Sequence, residues 1–166
     1  MSTTDNLKDA FAGESQANRK YLAYGEQAAK DGYAQVAKLF RAVAAAETIH
    51  AHAHLRALGG VKGTAENLAD AIAGEAYEVS TMYPPMLAEA QAEGHKAAER
   101  SMTHALEVEK VHFELFKQAL AAIEAGADLP AAAILVCPVC GHTVVGGAPE
   151  SCPICSAKGA RFAEAA

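Results

Sequence analysis

The segment AETIHAHAHL, residues 46–55, contains a glutamate and a histidine three positions apart, and the same Glu-x-x-His spacing returns in EKVH, residues 109–112. On a helix, two residues three apart lie on adjacent turns of one face, about 4.5 Å apart along the axis. Both side chains of each pair can therefore reach one common point beside the helix. A single such pair is weak evidence, because chance supplies many. Two pairs in similar surroundings indicate a duplicated helical unit.

Four amphipathic segments support this duplication. Their apolar residues recur at i, i+3 and i+4, which predicts helices that each bury one face. Each half of the region contains a Gly-Glu step, at Gly13-Glu14 and at Gly74-Glu75, and carries a Glu-x-x-His pair further on. Two helical hairpins of this kind predict an all-α four-helix bundle, ferritin-like, over residues 1–128. The predicted helices end near Gly32, Gly59-Gly60, Gly94 and Gly126, and Pro84-Pro85 bends the third or starts a new turn in it.

Composition indicates a soluble cytoplasmic protein. The 166 residues suffice for one substantial core and a small appended domain. A formal net charge of −6 and a pI near 5.6 argue against nucleic acid or an anionic membrane as the main partner. No apolar run approaches the length of a membrane span, and the first residues contain no hydrophobic signal core. We therefore expect neither a nucleic-acid nor a membrane partner.

Five glutamates fall on the apolar helical stripes, where an ionised carboxylate is costly unless positive charge lies nearby. No lysine or arginine lies on these stripes, so metal cations are the simplest source of the positive charge that the carboxylates need. Two Glu-x-x-His pairs with single glutamates from the other helices describe a carboxylate-bridged dinuclear site. Such ligation suits iron or manganese better than structural zinc, and an oxo or hydroxo bridge would balance the oxidised form. The predicted ligands are Glu14, Glu47, His50, Glu75, Glu78, Glu109 and His112.

The two further histidines of the opening segment do not fit this site. At 100° per residue, His52 lies about 140° from Glu47 and is expected to face solvent or a partner subunit. His54 lies about 20° from Glu47 but roughly 10 Å further along the axis. We therefore expect His54 to be a hydrogen-bonded core or interface residue, with His50 as the ligand.

The tail, residues 136–166, is a second domain that follows a linker at residues 129–135. It is rich in cysteine, glycine and proline and has no helical period. Two Cys-x-x-Cys pairs predict one closed tetrahedral metal site, and this signal is specific. The ligands alone leave zinc and iron open, and the neighbouring dinuclear site favours iron. The four predicted ligands are Cys137, Cys140, Cys152 and Cys155.

The chain resembles the rubrerythrins over nearly its whole length. The matching stretches are GESQANRKY at residues 13–21, AETIH at 46–50, AGEAYEVSTMYP at 73–84, EKVH at 109–112 and the rubredoxin-like CPVCG…CPIC. The resemblance implies that the seven Glu and His residues bind two irons and that the four cysteines bind one. It also implies that one iron shifts between Glu78 and His50 when the redox state changes. Tyr21 and Tyr83 would hydrogen-bond ligand carboxylates, although core packing explains their spacing equally well.

The resemblance implies a non-haem di-iron peroxidase that reduces hydrogen peroxide to water in defence against oxidative stress. Electrons would reach the di-iron site through the FeS₄ site, from rubredoxin or an NAD(P)H-dependent reductase. A head-to-tail homodimer is expected, because the tail would otherwise lie beyond one end of the bundle, far from the ligands. Two alternatives remain. The bundle could be a ferroxidase or iron-handling protein, or the tail could be a structural zinc ribbon that docks a partner.

Overall fold

The computed structural model describes residues 2–165 and contains two compact units, Met1–Lys62 and Gly63–Ala166. Each unit is described by itself. The N-terminal unit is a helical hairpin, whereas the C-terminal unit combines a second helical hairpin with the cysteine-containing tail. The predicted division at residues 128 and 136 into a bundle, a linker and a tail stays a prediction.

The N-terminal hairpin consists of α1, Thr3–Lys30, and α2, Ala34–Ala57. Ser2 caps α1, since its side chain accepts a hydrogen bond from the Asp5 N–H while the Asp5 carboxylate accepts one from the Ser2 N–H. Gly32 then adopts a φ of 86°, a left-handed conformation that glycine tolerates and that ends the helix. This turn lets α2 return along α1.

Small residues determine how closely α1 and α2 pack. Ala37, Ala44 and Ala51 recur every seven residues on α2 and are all buried. A Cβ atom on Gly25 of α1 would lie 3.3 Å from the Ala37 carbonyl oxygen, so this contact leaves no room for a larger side chain. The alanine-lined face therefore holds the two helices together.

The helical hairpin of the C-terminal unit is interrupted. It comprises α3, Thr64–Tyr77, a π-helical turn, Glu78–Met82, α4, Tyr83–Ala92, and α5, Lys96–Glu124. Pro84 and Pro85 follow the π-helical turn and lack the N–H groups that would continue a regular helix, which explains the wider turn. The sequence predicted a bend at these prolines, and the structure places the wider turn immediately before them.

The tail forms a small antiparallel sheet. Its strands are β1, Ile134–Val136, β2, Thr143–Val145, and β3, Ala163–Glu164, in the order β2-β1-β3, and a short 3₁₀ helix spans Gly159–Arg161. The loop before β2 lies against α5, where a Cβ atom on Gly141 would be 3.8 Å from Val108 Cγ1. The tail therefore packs on the helix that carries the second Glu-x-x-His pair.

The predicted fold class, helical hairpins of a ferritin-like bundle followed by a small rubredoxin-like domain, is confirmed. Within the described residues, no helix is both long and apolar enough to cross a membrane.

Replacing Ala44 by leucine should destabilise the protein, because the added methylene and methyl groups have no space between α1 and α2. Overpacking of this kind costs about 1–3 kcal/mol of unfolding free energy. Thermal and denaturant unfolding followed by circular dichroism would measure the loss. The matched control is Ala45→Leu, since the neighbouring Ala45 is exposed. Equal stability of the two variants would contradict the assigned packing face.

Candidate metal centres

The N-terminal hairpin brings three predicted ligands together. Glu14 of α1 and Glu47 and His50 of α2 offer ligand atoms that all lie within 4.8 Å of one another. His50 Nδ1 lies 2.9 Å from a Glu47 carboxylate oxygen and 3.7 Å from a Glu14 oxygen. The Glu-x-x-His spacing thus brings the Glu47 and His50 side chains to one point, and the His50 side chain is half-exposed.

The C-terminal hairpin repeats this arrangement. Glu75 of α3 and Glu109 and His112 of α5 form a second group within the same 4.8 Å limit. His112 Nδ1 lies 2.6 Å from a Glu109 oxygen. Each unit therefore supplies two carboxylates and one imidazole, and in both cases Nδ1 is the ring nitrogen that faces the carboxylates.

Glu78 and Tyr83 lie beside the second group, at the two ends of the π-helical turn. The turn accommodates one extra residue, so Tyr83, eight residues after Glu75, lies close to where the seventh residue of a regular helix would be. Burial raises the pKa of the Tyr83 hydroxyl, and the negative charges of Glu78, Glu109 and Glu75 raise it further. The Tyr83 hydroxyl therefore stays protonated and able to donate a hydrogen bond.

The carboxylates of the C-terminal group repel one another. Burial raises the pKa of Glu75, and the charge of Glu109 raises it further, with Glu78 adding a smaller contribution. Burial and Glu109 likewise raise the pKa of Glu78, and in both cases His112 opposes the shift. Several carboxylates held together in this way favour a bound cation, because a cation relieves both their repulsion and their burial cost. The residues therefore fit a metal centre.

Thr143 of the tail fixes the orientation of His112. Its Oγ1 atom lies 3.0 Å from His112 Nε2 and donates a hydrogen bond to the Gly141 carbonyl oxygen at 3.1 Å. Since that hydroxyl proton is committed to Gly141, Oγ1 accepts from the Nε2–H of His112. With a cation between Nδ1 and Glu109, the lone pair of Nδ1 would face that cation. A hydrogen-bond partner that fixes the ring orientation and the tautomer of a metal-binding histidine affects the metal affinity of the site.

The four cysteines of the tail converge on one point. All four Sγ atoms lie within 4.8 Å of one another, and the Cys137–Cys155 and Cys140–Cys152 sulfur distances are both 3.6 Å. Four thiolates around one ion at about 2.3 Å would lie about 3.8 Å apart, so the cage fits tetrahedral coordination. The thiols are free and form no disulfide.

Backbone N–H groups stabilise the ionised form of one thiol in this cage. Although burial opposes ionisation, the N–H groups of Val139 and Cys140 lower the pKa of the Cys137 thiol to about 7. Burial instead raises the pKa of Cys140, and the sulfur of Cys152 raises it further. Without a cation, Cys137 therefore ionises more readily than Cys140. A metal ion is needed to hold four.

The remaining candidates of the sequence lie outside both Glu/His groups. Tyr21 packs in an aromatic cluster, with ring centroids 6.3 Å from Tyr24 and 6.1 Å from Phe40. Its hydrogen bond to a ligand carboxylate stays a prediction. His52 is exposed, as expected, and His54 is half-buried, with its carbonyl oxygen accepting from Leu58 at the end of α2.

Comparison with known proteins agrees with the geometry. The family model described as "Rubrerythrin" matches residues 5–120, and the one described as "Rubrerythrin, rubredoxin-like domain" matches residues 136–163. The chain belongs to the rubrerythrin family. It is 38% identical to Rubrerythrin-2 of Clostridium acetobutylicum over 96% of this chain and 95% of that protein. It is also 38% identical to Nigerythrin of Nitratidesulfovibrio vulgaris, over 93% of this chain and 82% of that protein.

Solved structures of a rubrerythrin relative resemble this chain as well. The structure titled "Fully reduced state of nigerythrin (all ferrous)" has a TM-score of 0.60 and 35% identity, over 99% of this chain and 87% of that one. Given the family and the two kinds of ligand cluster, the cofactors are a pair of non-haem irons at the Glu/His ligands and one iron at the four cysteines. The assignment of individual residues as ligands stays a prediction.

The sequence pattern did not mark two residues beside His112, namely Thr143 and His142. Both follow the second cysteine of the tail, so no helical periodicity marked them. His142 is buried and stacks edge-on against Phe162 with centroids 6.2 Å apart. Burial lowers its pKa, and the nearby His112 lowers it further, so the ring stays neutral. The structure also brings the tail beside His112, whereas the sequence analysis expected it far from the ligands.

Removing the Thr143 hydroxyl should weaken iron binding at the Glu/His site without harming the tail. We expect Thr143→Val to lower dinuclear iron affinity roughly 10- to 100-fold, the usual effect of losing a partner that orients a metal-bound histidine. Competitive chelation followed by iron analysis would measure this. Thr143→Ser keeps the hydroxyl and should retain near wild-type affinity. If valine and serine behaved alike, the hydrogen bond would have no role in orienting His112.

Proposed function

We propose that the protein reduces hydrogen peroxide to water at its dinuclear iron site, with electrons returned through the FeS₄ site of the tail. The observation that carries the proposal is the 3.0 Å contact between Thr143 Oγ1 and His112 Nε2. It connects the loop of Cys140 directly to a predicted iron ligand. An enzyme that turns over on peroxide needs an electron supply at this position, whereas iron storage does not.

The reaction consumes two electrons and two protons for each peroxide and yields two waters. The iron pair, when bound, supplies the two electrons that break the O–O bond. The route for their return runs from the sulfur of Cys140 through Gly141, His142 and Thr143 to His112. His142 in this stretch is buried, and its lowered pKa keeps the ring neutral. The electrons must arrive singly, because one FeS₄ iron carries one electron.

Protons can be held at Glu78 and Tyr83. The raised pKa of each group means that it retains a proton more readily than in water, with burial as the first cause in both. Both side chains lie beside the carboxylates of the C-terminal group. We assign them the delivery of protons and the hydrogen bonding of the leaving water.

The wider setting is also part of the proposal. Free cysteines and oxidisable ferrous iron suit the reducing cytoplasm, where the enzyme would protect against oxidative stress. The electron donor would be rubredoxin or an NAD(P)H-dependent reductase that docks at the tail. The working assembly would be a homodimer.

Mixing with oxidants distinguishes the proposed peroxidase from a ferroxidase. We expect stopped-flow mixing of the fully ferrous protein with hydrogen peroxide to oxidise the dinuclear site faster than mixing with O₂ at equal concentration. Absorbance of the ferric products measures both rates. Faster oxidation by O₂ would favour the ferroxidase function and overturn the peroxidase proposal.

Removing the tail iron should leave the first oxidation of the dinuclear site unchanged and should slow the later turnovers. In Cys140→Ser/Cys155→Ser, we expect one stoichiometric oxidation by peroxide at the wild-type rate, followed by at least a tenfold loss of steady-state turnover. The wild-type protein should be red in its ferric form and the variant should not. A colourless wild-type tail that contains zinc, or sustained turnover in the variant, would contradict electron delivery through this site.

A further inference from the structure

A buried amide connects the two helices of the N-terminal hairpin close to its ligands. Asn18 of α1 is 7% exposed, and its Nδ2 atom donates to the Ala44 carbonyl oxygen at 2.6 Å and to Thr48 Oγ1 at 2.8 Å. The Thr48 hydroxyl in turn donates to the Ala44 carbonyl oxygen at 3.2 Å. Both partners belong to α2, so one side chain of α1 holds a full turn of the opposite helix.

These hydrogen bonds share one helix alignment with the close packing nearer the turn. Asn18 lies seven residues before Gly25 on α1, and Ala44 lies seven residues after Ala37 on α2. Because the two helices of a hairpin run in opposite directions, the contact of Gly25 with Ala37 and the hydrogen bond of Asn18 to Ala44 fit the same alignment. The amide therefore reinforces the alignment that the small residues begin.

The same alignment sets the position of the three predicted ligands of this hairpin. Glu14 lies four residues before Asn18, one helical turn away and about 40° round the helix. His50 Nδ1 lies 2.9 Å from Glu47 within α2 and 3.7 Å from Glu14 across the two helices. The first distance depends on α2 alone, whereas the second changes with any movement of α1 relative to α2.

Packing alone holds α1 and α2 together only loosely at the level of these ligands. The turn at Gly32 lies about 20 Å from Asn18 along α1, and the alanines of the contact face have no long side chains to interlock. On the flank of Asn18 away from Glu14, a cavity of about 280 Å³ is lined by Ser15 of α1 and Leu55 of α2. The directional hydrogen bonds of Asn18 therefore hold the helices where packing is incomplete.

The amide of Asn18 is a costly choice for packing. Its Oδ1 atom is buried and has no hydrogen-bond partner among the residues that the structure describes. A buried acceptor without a partner destabilises a fold, whereas an apolar side chain of the same shape leaves no polar atom unpaired. Stability alone would therefore favour leucine in place of Asn18. What the asparagine provides instead is a fixed position of α2 against α1.

We propose that Asn18 is a positioning residue of the dinuclear iron site, which keeps Glu14 of α1 within reach of the metal that Glu47 and His50 bind. Its hydrogen bonds go to α2 rather than to a ligand, so it acts by fixing the separation and rotation of the two helices. Metal sites require their ligands to be held within about 0.5 Å, so small movements of α1 weaken binding. The inference rests on the predicted ligands at which the proposed function takes place.

Replacing the amide by an apolar side chain of equal size separates positioning from stability. In Asn18→Leu, we expect the metal-free protein to unfold at a denaturant concentration close to that of the wild type, because the unpaired oxygen is removed together with the hydrogen bonds. We expect the affinity for dinuclear iron to fall about tenfold, the lower end of the effect of losing a group that orients ligands. Circular dichroism follows unfolding, and competitive chelation with iron analysis measures affinity.

Gly32→Ala is the matched control for a loss of stability in the same hairpin. The φ of 86° at Gly32 strains any residue with a Cβ atom, and no other group lies within 4 Å of the added atom. The variant should therefore unfold more easily than Asn18→Leu and yet bind dinuclear iron more tightly. An iron affinity that follows stability through both variants, or wild-type iron affinity in Asn18→Leu, would overturn the proposal.

The partner residue provides a second test that leaves Asn18 in place. Thr48→Val keeps the shape of the side chain and removes one of the two acceptors, so we expect roughly threefold weaker iron binding. Thr48→Ser keeps the hydroxyl and should bind iron as the wild type does. The double variant Asn18→Leu/Thr48→Val should bind iron no more weakly than Asn18→Leu alone, since their shared hydrogen bond is already lost. Fully additive losses would contradict a shared role.

Mössbauer spectra of the diferrous protein report on ligand positions without turnover. In Asn18→Leu, we expect broader lines from the dinuclear irons, because Glu14 is no longer held in one position. The iron at the four cysteines belongs to the other unit of the chain and should keep its line width, which provides an internal standard. Unchanged line widths for the dinuclear irons would count against the positioning role.

None of these measurements uses peroxide. A wild-type protein that binds dinuclear iron and does not reduce peroxide would overturn the proposed function and leave the role of Asn18 intact. Unchanged iron binding in Asn18→Leu, in a protein that reduces peroxide, would overturn the role of Asn18 and leave the proposed function intact.

Discussion

A cluster of carboxylates on apolar helix faces is the constraint on which the rest of this molecule depends. Glu75, Glu78 and Glu109 share one small region, where burial and the charge of Glu109 raise the pKa of Glu75 and of Glu78. No lysine or arginine lies on the same stripes to offset their charge. Metal cations therefore act as structural partners of these carboxylates, and the helices hold the side chains in place for them.

Different residues of each helix pack the hairpin and supply the candidate metal ligands. On α2, the alanines at 37, 44 and 51 bring the helix close to α1, while Glu47 and His50 lie beside that contact, where Glu14 of α1 approaches His50 to 3.7 Å. Close packing of the two helices thus brings ligands from both of them to one point. The cost is a hairpin with little buried apolar area, because alanine side chains bury little surface.

Local spacing made most of the site predictable from sequence. A three-residue step on a helix brings Glu47 close to His50 and Glu109 close to His112. Two Cys-x-x-Cys pairs likewise bring four sulfur atoms together. Both relations depend on local backbone geometry. The contact between Thr143 and His112 could not be predicted, because it depends on how the tail packs against Val108, a tertiary contact between residues far apart in sequence. The aromatic neighbours of Tyr21 were missed for the same reason, since spacing does not distinguish a packed ring from one that binds a ligand.

The position of the tail differs from what the sequence indicated. The sequence analysis expected the tail beyond one end of the bundle, and it assigned a partner subunit to bring an FeS₄ site near the irons. In the C-terminal unit, however, Thr143 contacts His112 of its own chain. The Gly141 backbone lies against Val108, one turn before His112 on α5, so the same helix that carries the Glu-x-x-His pair also holds the loop after Cys140 beside it.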